Sequence, residues 1–373
     1  MPDPDNQSSL ALHLDSLIRG NGPLTIEQWM GQVLSHPKYG YYMREEPFGV
    51  DGDFTTAPEI SQMFGEMLGF WAAHTWQQMG APERINLVEI GPGRGTLLAD
   101  ALRAAQTLPD FAEAIDLHLV ETSPRLRDIQ QSALSDQGGT WHHDLSELPD
   151  GPMILLCNEL FDALPIRQFI HTAEGWRERL VDLDPESEPL APVFRFVVSP
   201  GTTAAFALID DEIKTAGEGS IAELCPGGLR LVHDIAKRLQ AQGGAALIID
   251  YGYAASQTGD TLQSVSKHTK HDVLETPGKA DICALVNFAM LAQSAREAGA
   301  VTSGPIEQGH FLKALGIETR AEKLKSGLSL EKANVIEAAL ERLTAANAMG
   351  KLFKVMAIRP AGAPALAAFE DTE

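Results

Sequence analysis

Along the first third of the chain, apolar positions recur at helical spacing. Leu10, Leu14, Leu17 and Ile18 share one face of a helix over Ser9 to Arg19, which Gly20-Asn21-Gly22-Pro23 stops. Thr25 with Gln28 three residues on reads as a capping box, each side chain answering a free backbone N–H at the start of a second helix. Thr56 and Glu59 repeat that spacing with Pro58 in the first turn. A helix is expected from there to about Met79, with Ile60, Met63, Phe64, Met67, Leu68 and Trp71 at core spacing. The Gly/Asp-rich stretch Phe48 to Thr55 before it reads as a loop without an evident structural duty.

From Arg84 the period changes. Ile85 to Ile90, Leu117 to Glu121, Trp141 to Asp144, Met153 to Cys157 and Ala245 to Asp250 read as strands, and helices are expected over Thr96 to Ala105, from about Pro124, and over Leu229 to Gln240. Such alternation predicts an α/β fold with a parallel, Rossmann-like sheet and right-handed crossovers. The unbroken apolar run Met153 to Cys157 suits a strand covered on both faces. The expected organisation is a helical cap and loop over 1–80, a core over 81–165 and 226–252, and a β-rich insertion over 166–225. A mostly helical substrate-side region or lid over 253–345 and a closing strand with a tail over 346–373 complete it.

Composition narrows the classes of partner. The 373 residues suggest about two domains at roughly 150 residues each. Lys and Arg number 29 against 51 Asp and Glu, a formal charge of −22, which excludes nucleic acid and anionic membrane surfaces as main partners and favours neutral or cationic ones. Cys157, Cys225 and Cys283 are odd in number and widely spaced, as in a reducing compartment, and read as apolar filler. No run approaches the roughly 18 apolar residues of a membrane span, and the first residues lack a basic and then apolar leader, so a bacterial cytoplasmic protein is expected. His142-His143-Asp144 and His268-Thr269-Lys270-His271 lack the spacing of a zinc helix, so no metal is expected, and no G-x-S-x-G elbow supports acyl transfer.

The chemistry concentrates at strand ends. Glu89-Ile90-Gly91-Pro92-Gly93-Arg94-Gly95 joins the first strand to a helix, where backbone can approach a ligand closely. Its glycines follow G-x-G-x-G rather than the dinucleotide spacing G-x-G-x-x-G, and the carboxylate of Glu89 disfavours phosphate while welcoming an amino or sulfonium group. Glu121 and Asp144 end the next two strands, on the edge where open α/β sheets bind ligands.

The acid-x-G-x-G-x-G pattern resembles motif I of class I S-adenosylmethionine-dependent methyltransferases. Together with Gly52 to Ser61, Asn158-Glu159-Leu160-Phe161-Asp162-Ala163-Leu164-Pro165, Ile249 to Gly252, Gly259 to Gln263 and Phe353-Lys354-Val355, it resembles the MidA family over about Thr25 to Ile358. That family includes the mitochondrial complex I assembly-factor arginine methyltransferase. Leu160 stands where a second Phe is expected, Cys225-Pro226 where Ser-Pro is, and Ile282-Cys283 where Leu-Thr is.

The resemblance implies S-adenosylmethionine as cofactor, with Glu89, Gly91, Gly93 and Gly95 around it, Glu121 on the ribose hydroxyls and Asp144 at the adenine amino group. Thr56 and Glu59 either fold over the methionine end or simply cap their helix. It further implies a protein arginine as acceptor, on a respiratory complex I subunit. Glu159 and Asp162 then clamp the guanidinium and receive its proton while Asn158 orients the target or the cofactor, or Asn158 and Glu159 merely cap a turn. Asp250 and Tyr251 either line the substrate channel or form a buried turn. Alternatives are a nicotinamide-dependent oxidoreductase, which Glu89 and the placement of Gly95 disfavour, and a non-catalytic assembly chaperone.

Overall fold

The computed structural model describes residues 4–44, 56–188, 191–266 and 269–369, with the side chains of 4–8 and 44 left aside. The loop expected at Phe48 to Thr55, the first four residues of the Gly52 to Ser61 block and His268 lie outside them. The chain divides into two units: Met1–Phe54 with Phe161–Arg230 and Ala255–Leu285, and Thr55–Leu160 with Leu231–Ala254 and Val286–Glu373.

The second unit carries an eight-stranded sheet. Its strands are β1 (Ile85–Ile90), β2 (Ile115–Val120), β3 (Thr140–His142), β4 (Met153–Asn158), β5 (Gly244–Tyr253), β6 (Val286–Asn287), β7 (Val301–Glu307) and β8 (Phe353–Arg359). They lie in the order β7-β8-β5-β4-β1-β2-β3, with β6 paired to the far end of β5. β5, β4, β1, β2 and β3 run parallel and β8 runs antiparallel to both of its neighbours. Every residue of β1 and β4 is buried, as continuous apolar strands under two helical layers require. The order reverses between β1 and β4, where Glu89 pairs with Leu156, and that reversal opens a crevice at the carboxyl ends of the two strands.

Helices α1 (Ala57–Ile60), α2 (Gln62–Gln78), α3 (Thr96–Ala105) and α4 (Pro124–Ala133) belong to the same unit. Phe64, Trp71, Leu98, Leu119, Leu156, Ile249 and Val355 meet in its core. Each such side chain contributes about 1.5–3 kcal/mol by leaving water.

The other unit holds a five-stranded antiparallel sheet of Leu24–Thr25, Arg167–Thr172, Gly175–Leu183, Phe194–Val198 and Ile221–Leu224. The helix Ile26–Ser35 packs there through Trp29 and Met30, and starts at the capping box that Thr25 and Gln28 announce. Three short strands, Gln263–Ser266, Thr269–His271 and Asp281–Cys283, form a second antiparallel sheet.

Two expectations are corrected. The helix expected from Thr56 to Met79 breaks at Ser61, whose extended backbone ends α1 and whose hydroxyl accepts the Met63 N–H at 3.2 Å to start α2. Serine offers the backbone that alternative readily, and Thr56 makes no side-chain cap bond. The region 253–345 is not mostly helical: its polar strands pair without an apolar period, and β7 carries Gly304-Pro305 at a register shift, where an edge strand tolerates what reads as a turn. Within 1–80, residues up to 54 fall in one unit and those from 55 onward in the other.

Candidate functional site

Each side chain of interest in the second unit sits at the carboxyl end of a parallel strand. β1 runs into the loop 91–95, which Gly95 closes in left-handed conformation (φ +81°) as the N-cap of α3. Gly91 also requires a left-handed conformation (φ +68°), and its N–H donates to the Val120 carbonyl at 3.0 Å. A side chain at Gly91 would place its Cβ 2.8 Å from Leu160 Cδ1. Leu160 therefore fills the volume over the turn.

Glu89 is buried, 3% exposed, and its Oε2 has no hydrogen-bond partner among the described residues. Burial, with the Glu121 charge adding, pushes this carboxyl up to about 8. On the adjacent strand Asn158 is likewise buried, its Oδ1 without a partner while its Nδ2 donates to Glu159 Oε1 at 3.2 Å. Two buried acceptors, one of them a carboxyl, thus stand on neighbouring strand ends, and leaving such groups unmatched costs about 1–3 kcal/mol each. Cys157 lies between them in sequence, fully buried, with burial and then Glu89 and Asp250 raising its thiol, so it is inert filler.

Glu121, at the end of β2, is held at both oxygens: Ser123 N–H donates to Oε1 at 2.8 Å and Gln130 Nε2 to Oε2 at 3.1 Å. Burial raises its carboxyl, and these donors oppose the rise. Arg127 grips the Glu121 carbonyl through Nε at 2.8 Å. Asp144 is exposed and accepts the Ser146 N–H at 2.8 Å as the cap of a short turn.

At the end of β4, Glu159 adopts φ +50°, a strained conformation of the kind that gathers at functional sites. Its Oε1 accepts the Ala57 N–H at 2.9 Å, fixing the start of α1 beside Thr56. Asp250 is fully buried and turned onto its own backbone, Oδ1 accepting the Tyr251 N–H at 2.9 Å. Tyr251 is half-buried, edge-on to Phe353.

Asp162 belongs to the other unit, buried in a short turn Phe161–Ala163. The Tyr42 phenol there donates to Asp281 at 3.0 Å and is pushed well up by burial and by the charges of Asp281 and Asp162. His142 meets His118 at 3.0 Å, and among the described residues no three His, Cys, Asp or Glu side chains gather into a metal site. No helix among them is long and apolar enough to cross a membrane.

Gln130 escaped the sequence reading, although a signal existed. Leu126, Gln130 and Leu134 follow one another at helical spacing, placing a polar side chain on an apolar stripe.

A family model of S-adenosyl-L-methionine-dependent methyltransferases matches residues 67–306. The mouse protein named protein arginine methyltransferase NDUFAF7, mitochondrial, is 38% identical over 96% of this chain and 86% of its own length. The human protein of that name is 39% identical over 84% of this chain and 74% of its own. A crystal structure from Burkholderia thailandensis, bound to S-adenosyl-homocysteine, superposes with a TM-score of 0.84 at 29% identity, covering 100% of this chain and 98% of that one.

Proposed function

Because this chain belongs to the MidA family of S-adenosyl-L-methionine-dependent methyltransferases, we propose that it is a protein arginine N-methyltransferase acting on a respiratory complex I subunit during assembly. The enzyme class and the cofactor follow from the family. One observation carries the acceptor: a relative named a protein arginine methyltransferase aligns with 96% of the chain, and the oriented carboxylate of Glu159 at the strand-four edge agrees with it. A bacterial cytoplasmic location is part of the proposal, whereas the curated relatives are named mitochondrial.

S-adenosylmethionine supplies a methyl group on a sulfonium when bound. The residues present fit it, since Glu89 Oε2 and Asn158 Oδ1 are buried acceptors in need of donors or positive charge. In the proposal Glu89 and the Gly91, Gly93 and Gly95 loop hold the methionine end, with Thr56 and Glu59 near it. Glu121 accepts the ribose hydroxyls, and Asp144 reaches the adenine amino group by giving up its turn cap.

Methyl transfer is an in-line displacement, so the protein acts mainly by positioning. A guanidinium is protonated throughout the accessible pH range and is a weak nucleophile. Glu159, pre-oriented by the Ala57 N–H, clamps it and takes the departing proton, with Asn158 orienting the target or the cofactor and Asp250 and Tyr251 lining the approach.

Proteomic mass spectrometry with and without the gene should reveal an arginine whose methylation disappears on deletion. Glu159→Ala should bind S-adenosylmethionine within about threefold of wild type while transfer falls by at least about a hundredfold. Unchanged transfer in that variant removes the Glu159 carboxylate from the clamp. Saturable NAD binding without S-adenosylmethionine binding would reject the whole reading.

A further inference from the structure

We infer that Gln130 is a positioning residue of the cofactor site, its side-chain amide locking the glycine loop and the Glu121 carboxylate into one fixed relation. The inference rests on the reading of Glu121 as the ribose acid.

Gln130 is fully buried in the second turn of α4. Its Nε2 donates to the Gly93 carbonyl at 2.8 Å and to Glu121 Oε2 at 3.1 Å, while its Oε1 accepts the Trp141 indole N–H at 2.9 Å. One amide thus ties together the loop after β1, the end of β2 and strand β3. Its orientation is chemically forced. An indole N–H only donates, so Oε1 must face Trp141, and a carbonyl and a carboxylate only accept, so the NH2 group must face Gly93 and Glu121. A Cβ at Gly95 would stand 3.6 Å from Gln130 Cα and Cγ, so the far end of the loop also rests on this residue.

A leucine would complete the apolar stripe of α4 without the desolvation cost of a buried amide. The amide supplies what leucine cannot, a fixed position for the second oxygen of Glu121, whose first oxygen the Ser123 N–H already holds. Ribose hydroxyls then meet a carboxylate that needs no rearrangement. Removing the amide frees one oxygen and releases Gly93 at once.

The experiment titrates full-length wild type, Gln130→Met, Trp141→Phe and Glu121→Gln with S-adenosylhomocysteine and with its 2′-deoxy counterpart, by calorimetry. Wild type should prefer the hydroxylated ligand by about ten- to a hundredfold, the range for a hydrogen bond to a charged acceptor. Gln130→Met should bind S-adenosylhomocysteine at least about tenfold more weakly and show under about threefold preference. Trp141→Phe removes the anchor of the amide without touching residue 130 and should fall between the two, which keeps the test decisive should Gln130→Met not fold. Wild-type affinity and preference in either variant would overturn the positioning role. If Glu121→Gln keeps the full preference, the ribose assignment itself falls; if it loses the preference while Gln130→Met keeps it, only the Gln130 inference falls.

Discussion

At Glu89 folding moves a carboxyl from its ordinary range near 4.5 up to about 8, through burial and the Glu121 charge. Between those values the folded chain holds a proton that the unfolded chain has released, so this group's contribution to stability is full below about pH 4.5 and is lost as pH rises towards 8. Replacing the carboxyl by a neutral isostere removes that loss. Ligand-free Glu89→Gln should therefore melt above wild type at pH 8.5 and converge with it near pH 4.5, in calorimetric scans across pH. A constant difference between the two proteins would show that Glu89 is ionised in the fold. The same variant should gain less than wild type from S-adenosylhomocysteine, because the ligand's α-ammonium group favours the charged carboxylate. The acid at this position was legible from its place two residues before Gly91. That its Oε2 stays unmatched among the described residues was not, since burial depends on strands on either side of it.

At the scale of elements, the loops after β1 and β4 meet where Leu160 covers Gly91. Gly91→Ala introduces a Cβ into a left-handed backbone, costing about 1–2 kcal/mol, and drives it 2.8 Å from the Leu160 methyl. The contact is with the end of a side chain, so shortening that side chain should relieve it. Gly91→Ala is expected to bind S-adenosylhomocysteine much more weakly, and Gly91→Ala with Leu160→Ala to recover part of the loss, with a coupling of about 1 kcal/mol in a double-mutant cycle. Additive effects would reject the contact. Gly252 behaves differently, because a Cβ there would stand 2.1 Å from the Val286 carbonyl oxygen, a backbone atom that no neighbouring substitution removes. Elements bounded by local signals were readable: the strand Ile85–Ile90 and the helix Thr96–Ala105 end where their glycines and apolar period say. The break at Ser61 was not, because two caps competed for one stretch and packing chose the later one for the long helix.

On the scale of the whole chain, net charge of −22 describes the average surface and says little about where opposite charges are buried together. Within the second unit Glu66, 3% exposed, accepts from Arg320 Nε at 2.7 Å and Arg103 Nη2 at 3.3 Å, tying α2, α3 and the helix Ile317–Lys325. Burial opposes ionisation of Glu66, but the two guanidiniums outweigh it and lower the carboxyl. A lowered carboxyl contributes stability above its unfolded value near 4.5, and that contribution is lost as pH falls through the folded value. Arg320→Ala should cost about 1–3 kcal/mol at pH 7, below the figure for a fully buried pair because Arg320 is partly exposed. The deficit should shrink in denaturant titrations below about pH 4.5, where Glu66 is neutral in the unfolded chain. A deficit unchanged with pH would mean that Arg320 acts through packing alone.

By itself the sequence determined the alternation of strands and helices, the glycine loop, and the acids at successive strand ends, because period, turn chemistry and charge are properties of neighbouring residues. Sheet order decided the rest. Glu89 and Asn158 stand on adjacent strands although 69 positions separate them, and Gln130 joins Gly93, Glu121 and Trp141 because β1, β2 and β3 lie side by side. Which polar atoms stay unmatched, and which are locked, follows from the burial those pairings create, and burial is a property of the folded chain alone.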